Sequence, residues 1–170
     1  MVRLLLLRHA KSSWAAAGLA DIDRPLNPRG VADAARLGER MAAEGLVPGR
    51  TLCSTALRAR QTLAGIVPAL LPEMPDNGEI ALASELYGAG DYLGVIAARG
   101  GGAPSLMLIG HNPATHLTGR ALVGPGDESL REKLESKFPT SGLAVIEFDA
   151  PSWPAIQPGA GRLVAFLMPK

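Results

Sequence analysis

The stretch Val2-Arg3-Leu4-Leu5-Leu6-Leu7-Arg8-His9 decides the fold class of this 170-residue chain. A continuous apolar run of this kind is typical of a strand that is covered on both faces, as in the parallel sheets of α/β proteins. The run therefore predicts a central strand with Arg8 and His9 at its carboxyl end. Open α/β sheets bind their ligands in the crevice beyond the carboxyl ends of the strands, so these two residues are candidates for a site.

Strands and helices alternate along the rest of the chain. Further strands are predicted at Arg50–Cys53, Ile80–Leu82, Ser105–Ile109, Leu143–Phe148 and Leu163–Met168. Helices are predicted from Pro28 to about Glu44 with Asn27 as cap, from the Ser54-Thr55 cap to about Leu70, over Asp91–Ala98, from the Asn112 cap to about Leu122, and over Ser129–Phe138. The alternation predicts one α/β domain over residues 1–170, a three-layer sandwich with helices on both sides of a mostly parallel sheet. The last two strands lack a helix between them, which indicates an antiparallel addition.

The composition excludes several classes of protein. With 17 basic and 16 acidic residues, the chain lacks the positive charge of a nucleic-acid binder. Cys53 is the only cysteine, so neither an intrachain disulfide nor a cysteine-rich zinc site is expected. The first apolar run ends at Arg8-His9, short of the roughly 7–15 residues of a secretory signal, and no segment reaches the roughly 20 apolar residues of a membrane span. We expect a cytoplasmic protein with no membrane partner.

Arg58 and His111 each follow a predicted strand, as Arg8 and His9 do. Arg58 lies just past the second predicted strand, in the first turn of a helix, and His111 follows the fourth predicted strand. Because the carboxyl ends of parallel strands meet at one edge of a sheet, we expect these side chains to converge. Guanidinium groups bind phosphate oxygens bidentately, and a histidine with an unprotonated ring nitrogen can serve as a covalent nucleophile. The pattern favours phosphoryl transfer, with Lys11 as a further source of positive charge.

Other phosphate chemistries fit the spacing less well. Four residues separate Cys53 from Arg58, one fewer than the phosphate loop of a cysteine phosphatase requires, so Cys53 is interpreted as a buried strand residue. The chain also lacks a G-x-x-x-x-G-K-[ST] loop and a G-x-S-x-G nucleophile turn. A histidine-centred site is the remaining interpretation.

Five segments in order along the chain resemble the histidine phosphatase, or phosphoglycerate-mutase-like, superfamily. They are Leu7-Arg8-His9-Ala10, Asp23-Arg24-Pro25-Leu26-Asn27 with Gly30, Ser54–Ala59 with Thr62, Gly110-His111-Asn112-Pro113, and Phe138-Pro139-Thr140. The last is similar to the small SixA-like phosphohistidine phosphatases. One departure is Ala10, which stands where the family usually has glycine.

The resemblance implies a phosphoglycerate-mutase-like fold and a role for each matching residue. His9 would become transiently phosphorylated, while Arg8, Arg58 and His111 would bind the phosphoryl group. Glu85 matches by position the carboxylate that serves as general acid in one branch of the superfamily. No metal and no other cofactor is expected, because the arginines and His111 supply the positive charge.

These expectations lead to one main hypothesis and two alternatives. The main hypothesis is a phosphatase that hydrolyses phosphohistidine or a phosphomonoester, with a phosphorylated protein or a small phosphorylated metabolite as substrate. One alternative is a phosphoglycerate-type mutase, which returns the phosphoryl group to its substrate. The other is a phosphate-binding module without turnover. The sequence leaves the identity of the substrate and the oligomeric state open.

Overall fold

The computed structural model describes residues 1–75, 78–88 and 90–169. Its strands are β1 (Val2–Arg8), β2 (Arg50–Cys53), β3 (Glu79–Leu82), β4 (Ser105–Gly110), β5 (Leu143–Phe148) and β6 (Arg162–Leu167). Its helices are α1 (Pro28–Ala43), α2 (Leu57–Leu70), α3 (Glu85–Gly88), α4 (Leu93–Arg99), α5 (Ala114–Leu122) and α6 (Glu128–Ser136), with 3-10 turns at Asp21–Asp23, Leu71–Glu73 and Trp153–Ala155. Every predicted strand and helix is present within a few residues of its predicted bounds, and the short helix α3 is an addition.

The strands form a single mixed sheet in the order β3-β2-β4-β1-β5-β6. The first four of these run parallel, and β5 is antiparallel to both β1 and β6. The order places β2, β4 and β1 side by side, so that the residues following their carboxyl ends are neighbours. In the register, Arg8 pairs with Gly110 and Cys53 pairs with Ile109, which brings the three strand ends to nearly the same level.

The core has two halves, one on each face of the sheet, because the side chains of a strand alternate between faces. On β1, Leu4 and Leu6 belong to one half and Leu5 and Leu7 to the other. The first half is completed by apolar residues of α3, α4, α5 and α6, and the second by those of α1 and α2. The predicted three-layer α/β sandwich is therefore confirmed, and it explains why β1 is apolar at successive positions.

Helix starts follow the sequence in one case and depart from it in two. Asn27 caps α1 as predicted, with its side chain accepting the N–H of Gly30 at 2.8 Å. The predicted cap of α2 by Ser54 or Thr55 is wrong, since the helix begins after Ala56 without a side-chain cap. The predicted cap of α5 by Asn112 is also wrong, because that side chain donates to the carbonyl of Phe138 instead.

Within the described ranges, no helix is both long and apolar enough to cross a membrane.

Candidate active site

A polar cleft of about 210 Å³ opens at the carboxyl edge of the sheet, above the ends of β1, β2 and β4. Among the described residues, its lining consists of Arg8, His9, Lys11, Ser12, Trp14, Arg24, Arg58, His111, Asn112 and Thr140. Five of the six side chains selected from the sequence are in this set. The rings of His9 and His111 lie with their centroids 5.0 Å apart.

The backbone around His9 fixes the orientation of its imidazole. The Nδ1–H of His9 donates to the carbonyl of Ala10 at 2.7 Å, which leaves Nε2 as the ring nitrogen with the lone pair. The backbone N–H of His9 donates to Gly110 of β4, and the N–H of Ala10 donates to the hydroxyl of Thr62. Contacts with three segments of the chain thus fix the position of the ring, and its Nε2 carries the lone pair that a nucleophile needs.

Ala10 fits this geometry without a conformation reserved for glycine. Its φ angle is not positive, and its side chain is fully buried against Leu26 and Ala34. The carbonyl that orients His9 is a backbone atom, so it does not depend on the identity of the side chain. The replacement of glycine by alanine is accommodated in the loop after β1.

The surroundings of His9 keep its imidazole neutral. Burial lowers the pKa of His9 to about 3, and the nearby His111, Arg58 and Arg8 add to the decrease, against the opposing hydrogen bond to Ala10. A protonated imidazole has no lone pair with which to attack phosphorus. His9 is therefore in its nucleophilic form over the whole physiological pH range.

Arg58 lies directly beside the attacking nitrogen. It is the second residue of α2 and is almost fully buried, and its Nε donates to Nε2 of His9 at 3.4 Å. This contact confirms that Nε2 accepts rather than donates. The other end of the guanidinium group binds Asp21 of the 3-10 turn before α1, through its side chain at 3.0 Å and its carbonyl at 2.7 Å.

His111 is held from two sides by buried hydroxyl groups. Ser54 Oγ lies within hydrogen-bond distance of Nε2 of His111, at 2.7 Å, and also accepts the N–H of Ala56. Nδ1 of His111 has no partner among the described residues. The hydroxyl of Tyr92 accepts the backbone N–H of His111 at 2.9 Å. Burial lowers the pKa of His111 to about 4, so the ring is neutral.

The carbonyl of Phe138 anchors the remaining arginine. It accepts from Nη1 of Arg8 at 3.0 Å and from the amide of Asn112 at 2.9 Å. The Nε of Arg8 is buried and has no partner within the described part of the chain. The Phe138-Pro139-Thr140 segment thus positions Arg8 through its first residue and lines the cleft with its last.

The structure does not bring Glu85 into the cleft lining. Its carboxylate lies on α3 and accepts two hydrogen bonds of 3.0 Å from Arg99. A hydrogen bond to the backbone of Glu85 and the hydrogen bonds from Arg99 hold the pKa of this carboxylate below its usual value, which keeps Glu85 ionised. The general-acid role of Glu85 stays a prediction that this placement does not favour. Lys11 lines the cleft as expected, with an exposed side chain.

Sequence reasoning did not select Asp21, Tyr87 or Arg24 as functional residues. The hydroxyl of Tyr87 donates to Asp21 at 2.6 Å, and its ring meets the ring of His111 edge-on at 5.4 Å. Arg24 donates to Asp21 at 3.2 Å and stacks under the exposed indole of Trp14, 3.5 Å from the ring centroid. The only sequence signal was the position of Asp21 and Arg24 in the loop that leads to α1.

The other nucleophile and metal-ligand candidates do not form a second site. Cys53 is buried, and this burial raises the pKa of its thiol to about 12, so it is a structural residue as predicted. Among residues 1–75, 78–88 and 90–169, no three His, Cys, Asp or Glu side chains cluster closely enough to hold a metal ion.

The sheet order and the cationic cleft define an α/β protein of the phosphoglycerate-mutase-like class. The family model of the histidine phosphatase superfamily (branch 1) matches residues 4–76. An uncharacterized protein of Mycobacterium tuberculosis is 38% identical over 170 residues, which cover 96% of this chain and all of that protein.

Two solved structures extend the likeness over nearly the whole chain. A protein from Agrobacterium tumefaciens, assigned to the SixA phosphohistidine phosphatases, is 37% identical with a TM-score of 0.79, covering 99% of this chain and 98% of its own. A second protein with this assignment, from Nakamurella multipartitia, is 28% identical with a TM-score of 0.77, covering 99% of this chain and 96% of its own. The chain belongs to the histidine phosphatase superfamily, in its SixA-like group, and the class predicted from the motifs is confirmed.

Proposed function

We propose that this phosphatase removes the phosphoryl group from phosphohistidine, with His9 as the transient acceptor. The observation that carries the proposal is the lone pair of His9 Nε2, held in a cationic cleft with the Nε–H of Arg58 3.4 Å away. A phosphoryl group at this point would meet the nucleophile on one side and hydrogen-bond donors around its equatorial oxygens. Phosphoryl transfer depends mainly on such positioning and charge neutralisation.

The reaction has two steps in this proposal. Nε2 of His9 forms a bond to phosphorus while the bond from phosphorus to the leaving group breaks, and Arg8, Arg58 and His111 stabilise the oxygens. Water then attacks the phosphorus of phospho-His9, which releases inorganic phosphate and returns the imidazole to its neutral form. The residues themselves supply the positive charge, so we expect turnover to persist in the presence of a metal chelator.

The protonation state of the nearby carboxylates supports phosphohistidine over an alkyl phosphate. Glu85 is paired with Arg99, and hydrogen bonds from Tyr87 and Arg58 hold the pKa of Asp21 well below its usual value. Neither carboxylate is in the protonated form that a general acid needs. An alkoxide leaving group requires a proton from such an acid, whereas an imidazole leaves as a neutral molecule when its other ring nitrogen is protonated, with a reference pKa near 6.5.

The proposal is tested by comparing leaving groups on one enzyme. Purified protein is expected to release phosphate from a phosphohistidine peptide and from p-nitrophenyl phosphate, whose leaving group also needs no acid. The kcat/KM for a phosphoserine peptide of the same sequence should be at least about a hundred-fold lower, the lower end of the contribution of a general acid. His9→Asn should abolish turnover.

The matched control is His116→Asn. His116 lies on α5 and bonds to the carbonyl of Leu134, outside the cleft lining, so its replacement should leave turnover unchanged. Equal rates on phosphoserine and phosphohistidine would contradict the proposed substrate class. Transfer of the phosphoryl group between two positions of phosphoglycerate without release of phosphate would establish the mutase alternative instead.

A further inference from the structure

The carboxylate of Asp21 binds three side chains, those of Arg58, Arg24 and Tyr87. Asp21 lies in the 3-10 turn Asp21–Asp23, and its side chain is 51% exposed. One carboxylate oxygen accepts from Nη2 of Arg58 at 3.0 Å and from the hydroxyl of Tyr87 at 2.6 Å. The other accepts from Nε of Arg24 at 3.2 Å. One exposed carboxylate therefore connects two arginines of the cleft with a tyrosine that follows β3.

The contacts of Arg58 divide its guanidinium group into two edges. Nη1 and Nη2 form the end edge, and both donate to Asp21, one to the carbonyl and one to the carboxylate. Nε belongs to the side edge, and it points to Nε2 of His9. A guanidinium group has five N–H donors, so the side edge consists of the Nε–H, which donates to His9, and the second hydrogen of Nη2. Those two hydrogens form the fork that binds phosphate oxygens bidentately.

This division also distinguishes two roles that the carboxylate of Asp21 could have, imitation of the substrate and support of Arg58. A carboxylate that imitated the substrate would occupy the side edge of Arg58, next to His9, and would have to leave before a phosphoryl group could bind. Asp21 occupies the end edge instead, so the side edge, which faces Nε2 of His9, is not taken by a carboxylate. The contact is thus compatible with a bound phosphoryl group.

Arg58 needs such support because an arginine side chain has many rotamers, and fixing it costs conformational entropy. The positive charge of Arg8 also repels that of Arg58. Burial is the main cause of the lowered pKa of Arg8, and the charge of Arg58 is the second. Within the described ranges, Asp21 is the carboxylate that pairs with Arg58. The ring of Tyr87 lies 6.0 Å from the guanidinium carbon, so the tyrosine that binds Asp21 also borders Arg58.

We propose that Asp21 is a positioning residue, which holds the end edge of Arg58 so that its side edge faces a phosphoryl group in line with His9. Tyr87 fixes the carboxylate of Asp21 in turn. The inference rests on the proposed phosphoryl transfer to His9, and it adds the groups that set the geometry of that transfer.

The test compares Asp21→Ala and Asp21→Asn with the control Asp23→Ala. Asp23 is an exposed acidic residue of the same turn, so its replacement removes an equal charge from the same loop without touching Arg58. For Asp21→Ala we expect kcat/KM on p-nitrophenyl phosphate to fall by roughly ten- to a hundred-fold, as for other small misplacements of a catalytic group. Asp21→Asn should recover part of the loss, because its amide oxygen can still accept from Arg58.

A second measurement uses tungstate, which binds as a phosphate analogue and does not depend on turnover. Its Kd should rise in Asp21→Ala by a factor similar to the loss in kcat/KM and should stay unchanged in Asp23→Ala. Tyr87→Phe should lower kcat/KM and raise the Kd for tungstate, each by a smaller factor than Asp21→Ala. It should have no further effect in the Asp21→Ala background, because the two residues act through one contact.

The outcomes separate this inference from the proposed function. Unchanged or improved kcat/KM and tungstate binding in Asp21→Ala would overturn the positioning role, and improvement would show that the carboxylate competes with the phosphoryl group. An equal loss in Asp23→Ala would assign the effect to the loop rather than to the contact. If the wild-type protein released no phosphate from any donor, the proposed function would fail, while the tungstate comparison would still decide the role of Asp21.

Discussion

Lowering the pH from 7 to 5 is expected to destabilise the folded protein through His9 and His111. Burial, supported by nearby cations, lowers the pKa of His9 to about 3 and that of His111 to about 4, from the usual 6.5. At pH 5 both rings are neutral in the folded protein, whereas they take up protons when the chain unfolds. The unfolded state then binds more protons than the folded state, so the free energy of unfolding decreases as the pH falls below about 6.5.

The magnitude follows from the distance between the unfolded pKa and the experimental pH. At pH 5 this distance is about 1.5 units, and at about 1.4 kcal/mol per unit each histidine costs about 2 kcal/mol. The value does not depend on how far below 5 the folded pKa lies. Together the two rings cost about 4 kcal/mol, a large part of the roughly 5–15 kcal/mol that stabilises a typical domain. Asp21 does not contribute in this interval, because its carboxyl is ionised in both states.

The assay is urea unfolding of the wild type, His9→Asn and His111→Asn at pH 7 and pH 5, in buffer without phosphate. Each variant should show a loss between the two pH values that is about 2 kcal/mol smaller than that of the wild type. If the variants lost as much stability as the wild type, the rings would not be the neutral, buried groups described here. A titration of His9 or His111 near pH 6.5 in the folded protein, followed by NMR, would refute the reasoning directly.

Three further substitutions test single contacts. Tyr92→Phe leaves the backbone N–H of His111 buried without its acceptor and should cost about 1–3 kcal/mol in urea unfolding, and an unchanged midpoint would contradict this role. Glu85→Gln should change kcat on phosphohistidine by less than about two-fold in steady-state kinetics, whereas a loss of about a hundred-fold or more would restore it as the general acid. Gly30→Ala should lower the melting temperature and the activity, because a Cβ atom there would lie 2.1 Å from the carbonyl oxygen of Lys11, and a variant as stable as the wild type would show that α1 can move away.

The sequence was most informative where one local pattern determines the outcome. The apolar run before Arg8 is typical of a strand covered on both faces, and the residues after such strands were expected at one edge of the sheet. That expectation was correct for Arg58 and His111 because the strand order places β4 next to β1 and β2 next to β4. Chain order alone does not specify the order of the strands in the sheet.

The sequence was least informative where a side chain had a choice of partners. Asn112 is a residue type that often caps helices, and it lies just before α5, but in the folded chain its side chain donates to the carbonyl of Phe138. Glu85 has the position of a general acid, but Arg99, fourteen residues further along the chain, binds its carboxylate. Asp21 lies in a loop without periodicity, and only the folded chain brings it to Arg58. Such contacts depend on long-range geometry that no local pattern encodes.

The most direct test of the central claim is to trap and locate the phosphorylated intermediate. The protein is mixed with a labelled phosphohistidine peptide, quenched in base, where phosphohistidine is stable, and digested for mass spectrometry. The account predicts an acid-labile phosphoryl group on the peptide that contains His9, its loss in His9→Asn, and its retention in His116→Asn. A phosphoryl group on His111, or steady turnover by His9→Asn, would contradict the assignment of His9 as the nucleophile.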